Sequence, residues 1–228
     1  MSSPILITGT NKRVGQQLAE RLAEAGFDIL AVNRSPAPSA HPRIVHFQAD
    51  LQSRDDRDAL IAFVRSRYPA LRGIIHNASL WLDDDLANLE TMFKIHVEAP
   101  FHLNFELGEL LRRAGKADII HICDESSSRG SKGHVAYAAT KAALQNMTLS
   151  FAEMYAPDVR VNAISPGLLI FKEDSTAEYQ QKALGKALLQ YEPGAEPLIH
   201  SVLYLLESNY STGSNIVING GRHLKKDR

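Results

Sequence analysis

The 228-residue sequence has little sulfur and little indole: one cysteine, Cys123, and one tryptophan, Trp81. A single thiol excludes an intrachain disulfide framework and any cysteine-based zinc cage. A surplus of charge is also lacking, since 25 Lys and Arg stand against 26 Asp and Glu, a net −1. That balance argues against a broad nucleic-acid surface or a polybasic membrane face, so neither partner is expected. No apolar run approaches the ~20 residues of a membrane span, and no charged-then-apolar leader is expected. Repeats and low-complexity stretches are missing as well. These absences point to a cytoplasmic protein.

What is present is an ordinary globular composition, 44% hydrophobic and 22% charged. The length suits one domain, 1–228, with one core. Short apolar runs alternate with amphipathic stretches. Strands are expected at 4–8, 28–33, 44–48, 73–76, 117–123, 160–164 and 215–218. Helices are expected at 16–25, 53–68, 89–113, 134–155, 177–190 and 196–207. Ser53 with Asp56 resembles a capping box at the start of the second helix. The alternation predicts an α/β fold: a single-domain, Rossmann-like, doubly wound sheet of seven parallel strands with helices on both faces. Ligands in such folds bind beyond the carboxyl ends of the strands, where strand order reverses. The excursion at 168–194 reads as a lid over that site.

Thr8-Gly-Thr-Asn-Lys-Arg-Val-Gly15 joins the first strand to the first helix. Gly9 permits the tight turn and Gly15 permits close helix–strand packing, leaving helix N–H groups free to face a pyrophosphate. An NAD site places Asp or Glu after the second strand to hold a ribose hydroxyl. This chain has Asn33-Arg34-Ser35 there, with Lys12 and Arg13 at hand. A guanidinium grips a 2′-phosphate with paired donors, so NADP(H) is the expected cofactor. Further on, Tyr137 and Lys141 share one helix face at i and i+4. A nearby ammonium is expected to lower the tyrosine pKa and tune it as a general acid.

Taken together, these motifs resemble the short-chain dehydrogenase/reductase family over essentially the whole chain. The resemblance implies cofactor contacts from Gly9, Lys12, Arg13 and Val14 of the loop, and from Asn33, Arg34 and Ser35. It implies further contacts from Asp50 and Leu51 beside the adenine, and from Asn77-Ala78-Ser79 after the fourth strand. Pro166-Gly167 matches the nicotinamide turn, and Asn219-Gly220-Gly221 matches the usual end of the last strand. Tyr137 and Lys141 match the active-site pair, the lysine also holding ribose hydroxyls. A homotetramer built on the long helices expected at 89–113 and 134–155 is implied as well.

Departures from the family pattern are informative. The catalytic serine position, thirteen residues before the tyrosine, holds Asp124; Ser126, Ser127 and Ser128 have the wrong spacing. The middle loop glycine is Arg13, the usual Asn of the long helix expected at 89–113 is His96, and Ser79 replaces a glycine. These departures resemble the pteridine reductase branch. It implies a small-molecule pterin substrate: hydride to C6 and a proton to N5 of a 7,8-dihydropterin, of the dihydromonapterin, dihydrofolate or dihydrobiopterin kind. Arg13, Ser79, Trp81, Asp124 and Tyr137 are then the substrate contacts, with Trp81 stacking on the ring. Tyr137, Asp124 and Lys141 form the catalytic set, Asp124 passing protons with its pKa raised near the ring. His96 is either part of a water-linked proton path or a packed helix histidine. Cys123 packs at a strand end, a reactive thiol being the alternative. Asp83-Asp84-Asp85 is a solvated face that also shapes the pocket mouth. The other histidines have no metal-ligand spacing, so no metal is expected. A carbonyl or 3-ketoacyl reductase, and an NADP(H)-binding regulator without turnover, are the competing readings.

Overall fold

The computed structural model describes residues 3–36 and 41–225. Seven strands form one parallel sheet in the order β3-β2-β1-β4-β5-β6-β7. They are β1 (Ile5–Thr8), β2 (Ile29–Asn33), β3 (Ile44–Gln48), β4 (Gly73–His76), β5 (Ala117–Ile122), β6 (Val159–Pro166) and β7 (Asn215–Ile218). The helices are α1 (Arg13–Glu24), α2 (Arg54–Arg67), α3 (Leu86–Phe93), α4 (Ala99–Arg112), α5 (Val135–Tyr155), α6 (Ala177–Leu184) and α7 (Glu196–Glu207). A π-helical segment, Lys94–Glu98, joins α3 to α4, and a short 3₁₀ turn spans Glu125–Ser127.

Strand period two sends alternate residues to opposite faces. Ile5, Ile7, Ile29 and Ala31 pack with Leu18, Leu22, Leu198 and Val202 of α1 and α7. Leu6, Leu30 and Val32 pack with Leu60, Leu103, Leu107 and Phe151 of α2, α4 and α5. Both faces are thereby covered, as an all-parallel sheet requires. Strand order reverses between β1 and β4, the place where a doubly wound sheet has its ligand crevice, beyond Thr8 and His76.

Four expectations need correction. The first helix begins at Arg13 rather than residue 16. The expected unbroken helix at 89–113 begins at Leu86 and is widened at Lys94–Glu98. Pro100 explains the widening: it has no N–H for the His96 carbonyl, and its ring crowds that carbonyl. The expected helix at 177–190 stops at Leu184, because the Leu188 and Leu189 N–H groups both donate to the Gly220 carbonyl at 2.9 Å. At α2, Ser53 Oγ accepts from Asp56 N–H, but Asp56 answers to the Asp50 N–H at 2.7 Å instead of closing a capping box.

Candidate active site

The loop after β1 is built on close approaches. Gly9 has φ +74°, and a Cβ there would lie 2.7 Å from Ala78 Cα. A Cβ at Gly15 would lie 2.0 Å from the Gly9 carbonyl oxygen. Asn77 ties the switch point together by donating from Nδ2 to the Gly9 carbonyl at 2.8 Å, while Thr8 Oγ1 accepts from the Asn77 and Ala78 N–H groups. Arg13 adopts φ +45° where the family pattern has glycine, so the backbone conformation of that position is kept although the residue is not. α1 starts with no side-chain cap on Lys12 and no acidic residue in its first turn, leaving its positive end open.

Lys12, Arg13 and Arg34 are exposed and have no ion-pair partner among the described residues. Asn11 Nδ2 donates to the Ser35 carbonyl and to Ser35 Oγ at 2.8 and 2.9 Å, drawing the end of β2 to the loop. These groups fit a pyrophosphate on the α1 end and a 2′-phosphate among the cations. Asn33, the last residue of β2, also bears on this loop. Its side chain is buried and braces Thr10, accepting from its N–H at 2.6 Å and donating to Oγ1 at 2.8 Å, so it shapes the loop. Asp50 Oδ1 holds the Gln52 N–H, and Leu51 is buried with its carbonyl on Arg57. At the other side of the crevice Gly167 N–H donates to the Ile218 carbonyl, and a Cβ there would meet Asn219 at 3.0 Å. Pro166 ends β6 just before this turn.

The reacting end is formed by the 3₁₀ turn, α5 and the loop after β4. The Tyr137 hydroxyl donates to Asp124 Oδ2 at 3.3 Å. Asp124 Oδ1 accepts from the Ser126 N–H and hydroxyl at 2.8 and 2.6 Å, so the nearby serines orient the carboxylate rather than replace it. Burial, then the Asp124 charge, pushes the Tyr137 pKa well up; a Ser79 hydrogen bond opposes this. The expectation that Lys141 lowers it is corrected here. Lys141 Nζ is buried and gives one of its three donors to the Ile122 carbonyl at 2.8 Å, 5.9 Å from the tyrosine ring centroid, and burial lowers its own pKa.

Trp81 is half exposed, with its ring 4.5 Å from Tyr137 and 4.2 Å from His134, so an apolar wall stands over the tyrosine. His96 is buried on the π-helical segment. Its Nε2 accepts from Leu80 N–H at 3.1 Å and meets Ser79 Oγ at 2.9 Å. Because Leu80 can only donate, Nδ1 carries the proton, toward Thr140 Oγ1 at 2.8 Å. Burial, then the Lys141 charge, holds His96 down to about 2, so it stays neutral and packed. Cys123 is buried and its thiol is pushed up to about 12 by burial first, an inert setting.

Two contributors were missed. Asp84 is not merely a solvated face: its carboxylate accepts from the Val135 and Ala136 N–H groups at 2.8 Å each, capping the helix that carries Tyr137. Thr140 anchors His96 and was readable only as the residue one turn after Tyr137. No group of His, Cys, Asp and Glu able to hold a metal occurs among the described residues.

The family model described as short chain dehydrogenase matches residues 3–182. Dihydromonapterin reductase of Citrobacter koseri is 41% identical over 233 residues, covering 97% of each chain. Dihydromonapterin reductase of Enterobacter sp. is 43% identical over 232 residues with the same coverage. The solved FolM alternative dihydrofolate reductase 1 of Brucella canis, complexed with NADP, superposes with a TM-score of 0.88 at 28% identity, over 100% of this chain and 96% of that one. With the glycine turn, the Tyr137–Lys141 pair and the seven-stranded sheet in their places, the chain belongs to the short-chain dehydrogenase family.

Proposed function

We infer that the chain is an NADPH-dependent oxidoreductase that reduces a 7,8-dihydropterin of the dihydromonapterin kind to its tetrahydro form, with NADP(H) as cofactor. One observation carries this reading: a carboxylate, Asp124, bonded to the Tyr137 hydroxyl where the family pattern has serine. Forming an alcohol calls for a neutral donor to a carbonyl oxygen. Reducing the C6–N5 double bond calls for a proton at N5, and a phenol with a carboxylate behind it handles one. The bound cofactor supplies the hydride.

The remaining work falls to side chains of this chain. Arg34, Lys12 and Arg13 hold the 2′-phosphate, and Gly9 and Val14 border the pyrophosphate. Asp50 and Leu51 lie beside the adenine. Lys141 anchors the nicotinamide ribose from its place on the Ile122 carbonyl. Asn77, Ala78, Pro166 and Gly167 frame the nicotinamide. Trp81 takes one face of the pterin, and Ser79, fixed by His96, meets its edge. Tyr137 stays protonated at neutral pH, because burial and Asp124 hold its pKa up, and so has a proton to give. The segment 168–194 lids the site. Mixing the protein with NADPH and, separately, dihydromonapterin, dihydrofolate, dihydrobiopterin and a β-keto ester tests the reading. Turnover of the ester alone would refute it.

We further place the chain in the cytoplasm as a homotetramer, acting on small molecules. No helix of the described residues is long and apolar enough to cross a membrane. Phe101 and Phe105 of α4 stack 5.9 Å apart while half exposed, and Leu149 and Met154 of α5 are exposed as well. Such apolar helix faces suit a four-helix contact between copies. Light scattering that gives a monomer mass would count against the assembly.

A further inference from the structure

Glu125, the first residue of the 3₁₀ turn that Asp124 caps, has a buried side chain, 5% exposed. A buried carboxylate needs positive partners. Arg129, one turn further on, supplies them, with Nε 2.7 Å from Oε2 and Nη2 on Oε1. That pairing is local and already reaches both oxygens. Arg222 Nε nonetheless lies 3.0 Å from Glu125 Oε1. Arg222 belongs to the short 3₁₀ turn after β7, so what it adds is a tie between two segments far apart in sequence.

The chain just before Arg222 is also where the 168–194 segment is fastened. No residue of α6 is buried, so the segment keeps its place through ties to other parts of the chain. The Gly220 carbonyl accepts from the Leu188 and Leu189 N–H groups, and Lys225 Nζ donates to the Gly185 carbonyl. Gly221 has φ +74°, and a Cβ there would lie 3.0 Å from Leu188 Cδ1. The Tyr137–Asp124 bond is sensitive to the far side of this tie. At 3.3 Å it is longer than the ordinary O–H···O distance of about 2.7–2.8 Å. Asp124 Oδ1 is bound within its own turn, to Ser126. A shift of the turn therefore carries the carboxylate with it and makes or breaks the bond to Tyr137.

We propose that Glu125 and Arg222 are positioning residues: their ion pair passes the seating of the 168–194 segment to the turn that aims Asp124 at Tyr137. The proposal rests on the dihydropterin reading for the reaction it serves. When the segment settles over the site, Leu188 and Leu189 hold the Gly220 carbonyl and Arg222 follows. Glu125, paired to Arg222, then draws the Asp124 turn with it. Proton handling is thereby tied to a covered site from which water is excluded.

The test is a double-mutant cycle on kcat with dihydromonapterin and NADPH. Arg222→Gln leaves Glu125 its Arg129 pair, so no buried charge is orphaned. It should lower kcat about tenfold or more, since small misplacements of a reacting group cost that much. KM and NADPH affinity should stay within about twofold of wild type, the split expected when only the reacting geometry is lost. Arg222→Lys, which keeps a charge and a donor, should recover most of the loss. In an Asp124→Ala background Arg222→Gln should cost less than about twofold, because nothing is left to aim. A tenfold loss that persists in that background, a rise in KM with kcat unchanged, or unaltered kinetics in Arg222→Gln overturns the proposal. Wild-type protein that reduces no dihydropterin refutes the proposed function instead. The tie is then decided by amide hydrogen exchange of the NADP-loaded protein. Faster exchange at Ser126, Leu188 and Leu189 together in Arg222→Gln supports it, and exchange unchanged at Ser126 overturns it.

Discussion

The Tyr137 hydroxyl donates to the Asp124 carboxylate across 3.3 Å, joining the first turn of α5 to the cap of the 3₁₀ turn after β5. The carboxylate is held from its other oxygen by Ser126, so its free edge points at the tyrosine. This pairing sets the expected behaviour of the site.

Tyr137→Phe keeps the ring against Trp81 and removes only the hydroxyl, and with it the proton. Turnover should fall by about 10²–10⁴-fold, while NADPH affinity, followed by fluorescence titration, should stay near wild type. Undiminished turnover would remove Tyr137 from the mechanism.

Asp124→Asn removes the second cause that holds the Tyr137 pKa up, leaving burial alone. The phenol is the active form, so activity is lost on the alkaline side, where it ionises. In the variant that limb of the kcat profile should move to lower pH, and kcat at neutral pH should drop. An alkaline limb that stays in place would show that the carboxylate charge does not reach the tyrosine.

Arg34→Asp places a carboxylate where the 2′-phosphate is expected. The NADPH/NADH ratio of kcat/KM should fall by about tenfold or more, the worth of one charge-assisted contact. An unchanged ratio would mean that Lys12 and Arg13 alone make the clamp.

The buried histidines give an acid dependence. Burial holds His76 at about 4 and His96 at about 2. The unfolded chain binds protons at histidine near a pKa of about 6.5. Below that pH the unfolded state takes up protons that the folded state excludes, so stability falls as pH drops. For His76 the loss spans roughly pH 6.5 to 4 and reaches about 3 kcal/mol. Urea denaturation across that range, with imidazole NMR shifts, checks it; a His76 ring that protonates near 6.5 in the folded protein contradicts it.

Much of this was legible because it is local. Gly9, Gly15, Tyr137 and Lys141 announce themselves by spacing, and the strand runs alternate as the sheet requires. Tertiary context supplied the rest. Nothing around Asp84 showed that it would cap α5 from across 51 residues. Lys141 shares a helix face with Tyr137, but the Ile122 carbonyl takes one of its donors. Pro100 was visible, yet the π-helical segment that sets His96 on Ser79 depends also on the loop after β4. α6 ends early because a carbonyl distant in sequence, Gly220, takes its would-be amides.

The central claim is that hydride goes to a dihydropterin and not to a ketone. The direct measurement is single-enzyme turnover of dihydromonapterin with NADPH deuterated at the transferring position, read by mass spectrometry and NMR of the product. The account predicts a tetrahydropterin with one deuterium at C6 for each NADPH consumed. Deuterium recovered only in the alcohol from a β-keto ester, with dihydromonapterin untouched, would contradict it.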